Sequence, residues 1–162
     1  MSKFLILILL VTSAQSAFAM DIDQIKIKIS LNLTRCDDVL VDGKFQNCID
    51  NTPNDKDLIF DLNKNCKNIA DSVSCSSSQM ITARMDNGSA TAIIIVSKKS
   101  EAGSSHILAT VVLTPGMNFA QQSVLNFTLP ENGVFPTKIR LQATSYKALD
   151  DNRLYFPSLV IN

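Results

Sequence analysis

The sequence contains no tryptophan, and glutamate is almost as scarce. Glu101 and Glu131 are its two glutamates, against thirteen aspartates, in a chain of 162 residues. Helices favour glutamate, lysine, alanine and leucine, whereas strands favour β-branched residues and threonine. A chain that is poor in glutamate and rich in isoleucine, threonine, serine and asparagine is therefore predicted to consist of strands joined by polar turns.

The chain also has no net charge. After its first residues it has no long apolar run. Lysine plus arginine and aspartate plus glutamate each number 15, so no overall field attracts nucleic acid or an anionic membrane. No apolar run after residue 19 approaches the roughly 20 residues that cross a bilayer. We therefore expect no nucleic-acid partner and no transmembrane segment.

The first nineteen residues have the organisation of a secretory signal peptide. Lys3 supplies a positive start, Phe4 to Val11 is an unbroken apolar run, and Ala17-Phe18-Ala19 places small residues where a signal peptidase reads them. Cleavage before Met20 leaves residues 20–162, a length that suits one domain. The sequence thus predicts residues 1–19 as a cleaved signal peptide and export to the periplasm or the medium.

Four cysteines in an exported chain predict two disulfides. They are Cys36, Cys48, Cys66 and Cys75. Three pairings are possible, and we favour the local one, which joins the first to the second and the third to the fourth. The alternative is a zinc site, but structural zinc sites usually show closely spaced cysteine pairs, and here the spacings are wide.

A hairpin supports the first of these pairings. If its loop is Val41-Asp42-Gly43, with the glycine in the left-handed conformation, Leu40 faces Lys44. Counting outward from there, Cys36 faces Cys48. A two-residue turn at Asp42-Gly43 would miss this pairing by one residue.

Short strands follow one another along the rest of the chain. Ile25 to Leu33 alternates apolar and polar residues, which is typical of a strand with one buried face. Asn87-Gly88 is a strong signal for a two-residue hairpin turn. The eight to ten strands that we count, with roughly regular spacing, predict an antiparallel β-sandwich stapled by two disulfides in its N-terminal half; a small β-barrel is the alternative.

Basic residues fall on the polar positions of two alternating strands. They are Lys26, Lys28, Lys138 and Arg140. If the two strands are neighbours, these residues form a small basic patch; the alternative is that they keep the surface soluble.

The polar stretch from Asn63 to Gln79 is predicted to be a long loop closed by the second disulfide, with one short helical turn as the alternative. Binding sites on β-sandwiches lie on end loops, and a disulfide reduces the entropy that such a loop loses on binding. We therefore expect this loop to bind a partner. The candidate binding residues are Asn63, Lys64, Asn65, Lys67 and Asn68.

The same stretch partly matches a calcium loop. Asp61, Asn63 and Asn65 place oxygen ligands at alternate positions, as the first half of such a loop requires. Cys66 stands where glycine is expected, and Ser72 stands where a bidentate glutamate is expected. A solvated polar loop is therefore the favoured interpretation, and no metal or cofactor is predicted.

His106 is the single histidine and the main candidate for nucleophilic catalysis. A serine hydrolase needs a histidine, but it also needs a serine on a sharp turn, and the G-x-S-x-G motif is absent. The sequence therefore points away from an enzyme and leaves a secreted hydrolase as the last alternative.

An export signal, a β-rich body and an alternating strand near the mature start resemble bacterial fimbrial subunits. The resemblance implies that Ile25 to Leu33 pairs with a neighbouring subunit. Fimbrial subunits commonly carry a tyrosine near the C-terminus and one disulfide, whereas this chain ends with Ser158-Leu-Val-Ile-Asn162 and has four cysteines. Our leading hypothesis is a non-enzymatic exported protein that binds a protein or glycan partner; a structural or assembly subunit is the alternative.

Overall fold

The structure is a computed structural model. It describes residues 23–101, 104–116, 121–130, 138–148 and 152–162. The predicted signal peptide lies outside the described residues, so it stays a prediction.

Eleven strands in the described part of the chain form two antiparallel sheets, which confirms the predicted all-β sandwich. The count is one above the expected range because a two-residue strand is included. The strands are β1 (Gln24–Val41), β2 (Lys44–Asp50), β3 (Asn54–Asp61), β4 (Cys66–Ile69), β5 (Ser72–Met85), β6 (Gly88–Glu101), β7 (Ser104–Pro115), β8 (Ser123–Leu129), β9 (Ile139–Gln142), β10 (Tyr146–Lys147) and β11 (Arg153–Ile161).

The long strand β1 organises a six-stranded sheet. One of its edges pairs first with β3, over Gln24–Leu31, and then with β2, over Thr34–Val41. Its other edge pairs with β11 from Ile29 to Asp37. The strands β9 and β10 pair with β11, so β11 separates β9 from β1. The basic residues of β1 and β9 are therefore not on neighbouring strands.

The five-stranded sheet is a simple meander in which β4, β5, β6, β7 and β8 pair in chain order. Burial alternates along β6 and much of β7, so one face of these strands packs in the core, whereas β4 is exposed throughout. Together the two sheets enclose a single core. Its fully buried large side chains include Ile25, Ile27, Ile29, Leu31, Leu33, Phe60, Leu62, Ile94, Leu113, Tyr155, Leu159 and Ile161.

The strand predicted from Ile25 to Leu33 is confirmed, and all five of its apolar residues are buried. From Ile29 to Leu31 both of its edges pair with strands of the same chain, β3 on one side and β11 on the other. Pairing of that part with a neighbouring subunit would therefore require one of these ladders to open.

Side chains rather than backbone ladders join the edges of the two sheets. The Gln79 Nε2 atom donates to the Ile59 carbonyl at 3.3 Å, and the Asn54 Nδ2 atom donates to the Thr82 carbonyl at 2.9 Å. On the opposite side, the Ser123 hydroxyl donates to a carbonyl of β9 at 3.1 Å. The fold is therefore a sandwich of two sheets, and these edge carbonyls already have donors.

Two tyrosines close one end of the sandwich. Their rings stack with centroids 5.6 Å apart, Tyr146 on β10 and Tyr155 on β11. The Tyr146 hydroxyl accepts from the Ser89 N–H at 2.6 Å and donates to the Ser89 carbonyl. The Tyr155 ring lies so close to Gly88 that an added Cβ there would overlap it. The start of β6 is thereby fastened to the other sheet.

The predicted turn at Asn87-Gly88 is wrong by one residue. The facing pair is Met85 and Gly88, so the turn residues are Asp86 and Asn87. Asp86 takes the left-handed conformation, with φ 48°. The glycine is needed not for the turn but for the close approach of a tyrosine ring.

Candidate functional site

Both predicted disulfides are confirmed, Cys36–Cys48 and Cys66–Cys75. Each closes a β-hairpin. We call residues 35–50 the first hairpin and residues 66–75 the second hairpin.

The register of the first hairpin differs from the prediction. Its turn consists of Asp42 and Gly43 alone, with φ 51° and 73°, and Val41 faces Lys44. Such a turn, counted outward without interruption, would misalign the cysteines by one residue. Two irregularities restore the alignment. Between the pairs Leu40/Phe45 and Asp37/Gln46, β1 has two extra residues, and between Asp37/Gln46 and Arg35/Ile49, β2 has one extra residue, so the net shift is one.

The first hairpin extends beyond the six-stranded sheet. The pairing of β11 with β1 ends at Asp37, whereas β1 continues to Val41. This overhang leaves the apolar residues at the end of β1 without a covering layer. Exposed apolar side chains here are Val39, Leu40 and Val41, which we call the apolar tip. About half of each of these side chains is accessible to solvent, and Leu40 reaches 60%.

The first hairpin is held in place on both faces of the sheet. On the outer face, Phe45, which faces Leu40 near the turn, packs its ring against that of Phe156 on β11, with centroids 5.2 Å apart. Toward the other sheet, Arg35 pairs with Asp86, and Arg153 lies 3.4 Å from the same carboxylate. The apolar tip therefore projects from a braced support.

A polar crevice of about 410 Å³ runs beside the hairpin, lined by Asp37, Asp38, Val39, Lys147, Asn152 and Arg153. The Lys147 ammonium pairs with the Asp38 carboxylate, and the Asn47 Nδ2 atom donates to the Asp37 carboxylate at 2.7 Å. Acidic and basic groups are mixed in this crevice, so it has no strong preference for ligands of one charge sign.

The stretch from Asn63 to Gln79 is not a loop, and that prediction is wrong. Residues 66–69 and 72–79 are strands, and the turn between them consists of Ala70 and Asp71. Ala70 adopts φ 51°, a conformation for which the sequence offers no glycine or asparagine signal at that position. The strands were missed because their serine and asparagine side chains lie mostly on solvent-exposed surface.

The predicted binding residues are all exposed in this segment: Asn63, Lys64, Asn65, Lys67 and Asn68. The first three occupy the turn before β4, and the last two lie on β4 itself. The structure brings them to the β4 edge of the five-stranded sheet. Their role in binding stays a prediction.

In the partial calcium loop, the Asp61 carboxylate binds groups of the protein itself. One Asp61 oxygen accepts from the Asn63 N–H at 3.0 Å, and the other pairs with the Lys64 ammonium at 3.0 Å. These contacts, the N–H bond first, lower the pKa of Asp61 below its ordinary value. Its carboxylate thus has partners without a cation.

His106 lies near the start of β7, opposite Lys99 on β6, and its side chain is exposed. The adjacent Ser105 hydroxyl lies 3.1 Å from the Ser100 hydroxyl. Among the described residues, no three His, Cys, Asp or Glu side chains are grouped so as to hold a metal ion. The described part of the chain contains no helix with the length and apolar character needed to cross a membrane.

Comparison of the chain with protein-family models, with characterised proteins and with solved structures found no match. The apolar tip was therefore identified from the structure alone. A signal was present in the sequence, because Val39-Leu40-Val41 is apolar at consecutive positions beside a turn, where an alternating strand would bury one residue in two.

Proposed function

We propose that this chain is an exported, non-enzymatic β-sandwich that binds a protein partner through its first hairpin. The observation that carries the proposal is the apolar tip, which extends past the sheet from a disulfide-braced base. When a partner removes such aliphatic side chains from water, the binding free energy becomes more favourable by about 25 cal/mol per Å² of buried apolar area. A rigid hairpin also loses little conformational entropy when it binds.

The surface of the tip favours a protein partner over the other candidates. Three aliphatic residues and an aspartate at the turn suit an apolar groove with a polar rim, the arrangement typical of protein interfaces. The charged turn residue Asp42 disfavours insertion into a lipid layer. Two formed disulfides are in keeping with an oxidising compartment, and together with residues 1–19 they support export.

A matched pair of variants tests this proposal. Leu40→Glu adds a charge at the tip of the first hairpin, and Ile69→Glu adds one on the second hairpin, where the side chain is 57% exposed against 60% for Leu40. Both are surface changes, so the free energy of unfolding is expected to stay within about 0.5 kcal/mol of the wild type.

The immobilised protein is incubated with proteins of its own extracytoplasmic compartment, and retained partners are identified and their affinities measured. We expect a stoichiometric partner that wild type and Ile69→Glu retain and that Leu40→Glu loses. A partner lost with Ile69→Glu and kept with Leu40→Glu would move the site to the second hairpin. Retention of no partner by the wild type would contradict the proposal.

A further inference from the structure

The outer faces of the two sheets differ in charge. The six-stranded sheet carries charges of both signs: Lys28 faces Asp57 on the neighbouring strand, and Lys26 forms an ion pair with Asp57 at 3.0 Å. On the five-stranded sheet, four successive rows of outward residues carry no charge. We call these rows the neutral face; they are Thr82 and Thr91; Met80, Ile93, Val112 and Val124; Ser78, Ile95, Thr110 and Asn126; and Ser76, Ser97, Leu108 and Thr128. Thr114 continues the first row but is only 2% exposed, so it is not part of the open surface.

One row of the neutral face is aliphatic across four strands. Met80, Ile93, Val112 and Val124 face one another in register on β5, β6, β7 and β8. The two ends of this row are the most open, with Met80 65% and Val124 49% exposed. Depletion of charge together with exposed aliphatic side chains is the signature of the central part of a protein interface rather than of a solvated surface.

Two pairs of polar side chains on the neutral face are hydrogen-bonded to each other. The Thr110 hydroxyl donates to the Asn126 Oδ1 atom at 2.7 Å, and the hydroxyls of Thr82 and Thr91 lie 3.4 Å apart. Covering these groups therefore costs less than covering unpaired hydroxyls, because a buried polar group is expensive mainly when it lacks a hydrogen bond.

We propose that two copies of this chain associate through the neutral face. Four strands about 4.8 Å apart and four rows about 6.8 Å apart cover on the order of 500 Å² per copy, or about 1,000 Å² for two copies, which reaches the lower range of specific interfaces. A second copy presents no like charge to the four rows. Nucleic acid would need basic residues there, and a stacked sugar would need an aromatic ring, neither of which these rows contain.

This proposal is independent of the binding role of the first hairpin, because it concerns the opposite sheet. The test measures the dissociation constant of the dimer by sedimentation of the purified protein and of Met80→Glu and Val124→Glu. Both positions are open in the single chain, so folding is expected to survive, which the thermal unfolding curve checks. The control is Ile59→Glu, at a 54% exposed aliphatic residue on the other sheet.

We expect a concentration-dependent dimer whose dissociation constant rises at least about 100-fold in each of the two neutral-face variants, since each would bury an unpaired carboxylate. The control should leave that constant unchanged. The proposal is overturned by a monomer at every concentration, by a dimer that both variants keep, or by a dimer that Leu40→Glu alone disrupts. A monomer that instead binds a different protein in a Met80-dependent manner also overturns it.

Discussion

The first and second hairpins are closed in the same way and expose different surfaces. Their disulfides join facing cysteines separated by 12 and 9 residues in sequence. The first hairpin ends in the apolar tip, where Val39, Leu40 and Val41 are consecutive. The second exposes Ile69 and Val73 on opposite faces of the hairpin, among lysine and asparagine side chains.

This difference shows that the rigidity of a hairpin and its capacity to bind a partner have different structural causes. A disulfide limits the conformations of a hairpin, and it does so equally for an apolar tip and for a polar one. The sequence prediction placed the binding site on the second hairpin because a cysteine pair and a polar stretch coincide there. The structure offers the same covalent support on the first hairpin and adds exposed apolar area, which is what a partner could bury.

Removal of each disulfide is the test with the largest expected effect on stability. Cys36→Ser with Cys48→Ser, and Cys66→Ser with Cys75→Ser, should each lower the free energy of unfolding by about 3 kcal/mol, because the closed loops have similar lengths. Chemical denaturation measures this loss. For the partner retained by the wild type, only the first pair of substitutions should weaken the affinity at a temperature where both variants remain folded.

Equal losses of affinity in the two double variants would contradict the assignment of the site to the first hairpin. A loss confined to the second double variant would restore the original prediction. The comparison therefore uses each hairpin as the control for the other.

The sequence predicts those parts of the fold in which burial follows the alternation of residues. Ile25 to Leu33 was placed correctly because every second side chain enters the core. The second hairpin was not, because its strands lie at the end of the sandwich and bury little, so serine and asparagine at strand positions look like a loop.

The register of the first hairpin could not be predicted from the sequence, for a different reason. The disulfide Cys36–Cys48 was deduced from a three-residue loop that does not exist. A bulge on each strand produces the same alignment from a two-residue turn. Bulges depend on local backbone geometry, which residue patterns do not encode, so the sequence shows the consecutive apolar residues Val39, Leu40 and Val41 but not the overhang that exposes them.

The turns of the two hairpins provide a second test, with opposite expected signs. Gly43 has φ 73° and an added Cβ would meet nothing within 4 Å, whereas Ala70 has φ 51°. A left-handed non-glycine residue costs about 1–2 kcal/mol. Gly43→Ala should therefore lower the free energy of unfolding by about 1 kcal/mol, and Ala70→Gly should raise it by about 0.5 kcal/mol after the entropy cost of glycine. Denaturant titration of both variants measures this; equal signs would contradict the assigned turns.

A third test concerns the tyrosines near the base of the first hairpin and uses alkaline pH. Burial raises the pKa of Tyr146 above its ordinary value of 10.0, against the opposing effect of its bonds to Ser89. The folded state thus holds the neutral phenol more strongly than the unfolded state does. Its contribution to stability is complete below about pH 10 and declines as the pH rises through the raised pKa.

Tyr146→Phe should cost about 1 kcal/mol at neutral pH, because the bond to Ser89 is lost. The difference in unfolding free energy between wild type and variant should then shrink above pH 10, measured by denaturant titration at a series of pH values. A constant difference up to pH 12 would show that burial does not raise the pKa of this hydroxyl.

The smallest expected effect lies at the base of the second hairpin and appears at acid pH. The Asn63 N–H and the Lys64 ammonium lower the pKa of the Asp61 carboxyl, so its contribution to stability is present above the ordinary pKa of 3.8 and is lost as the pH falls through the lowered value. Asp61→Asn should remove that small acid-dependent loss. Because the ion pair with Lys64 is solvent-exposed, its share of the effect should fade in high salt, whereas the larger share due to the Asn63 N–H, and the Tyr146 effect, should not. Titration of the Asp61 carboxyl by NMR with and without salt measures it. A pKa insensitive to salt and to Lys64→Met would mean that the Asn63 N–H alone lowers the pKa of Asp61 and that the ion pair with Lys64 contributes nothing.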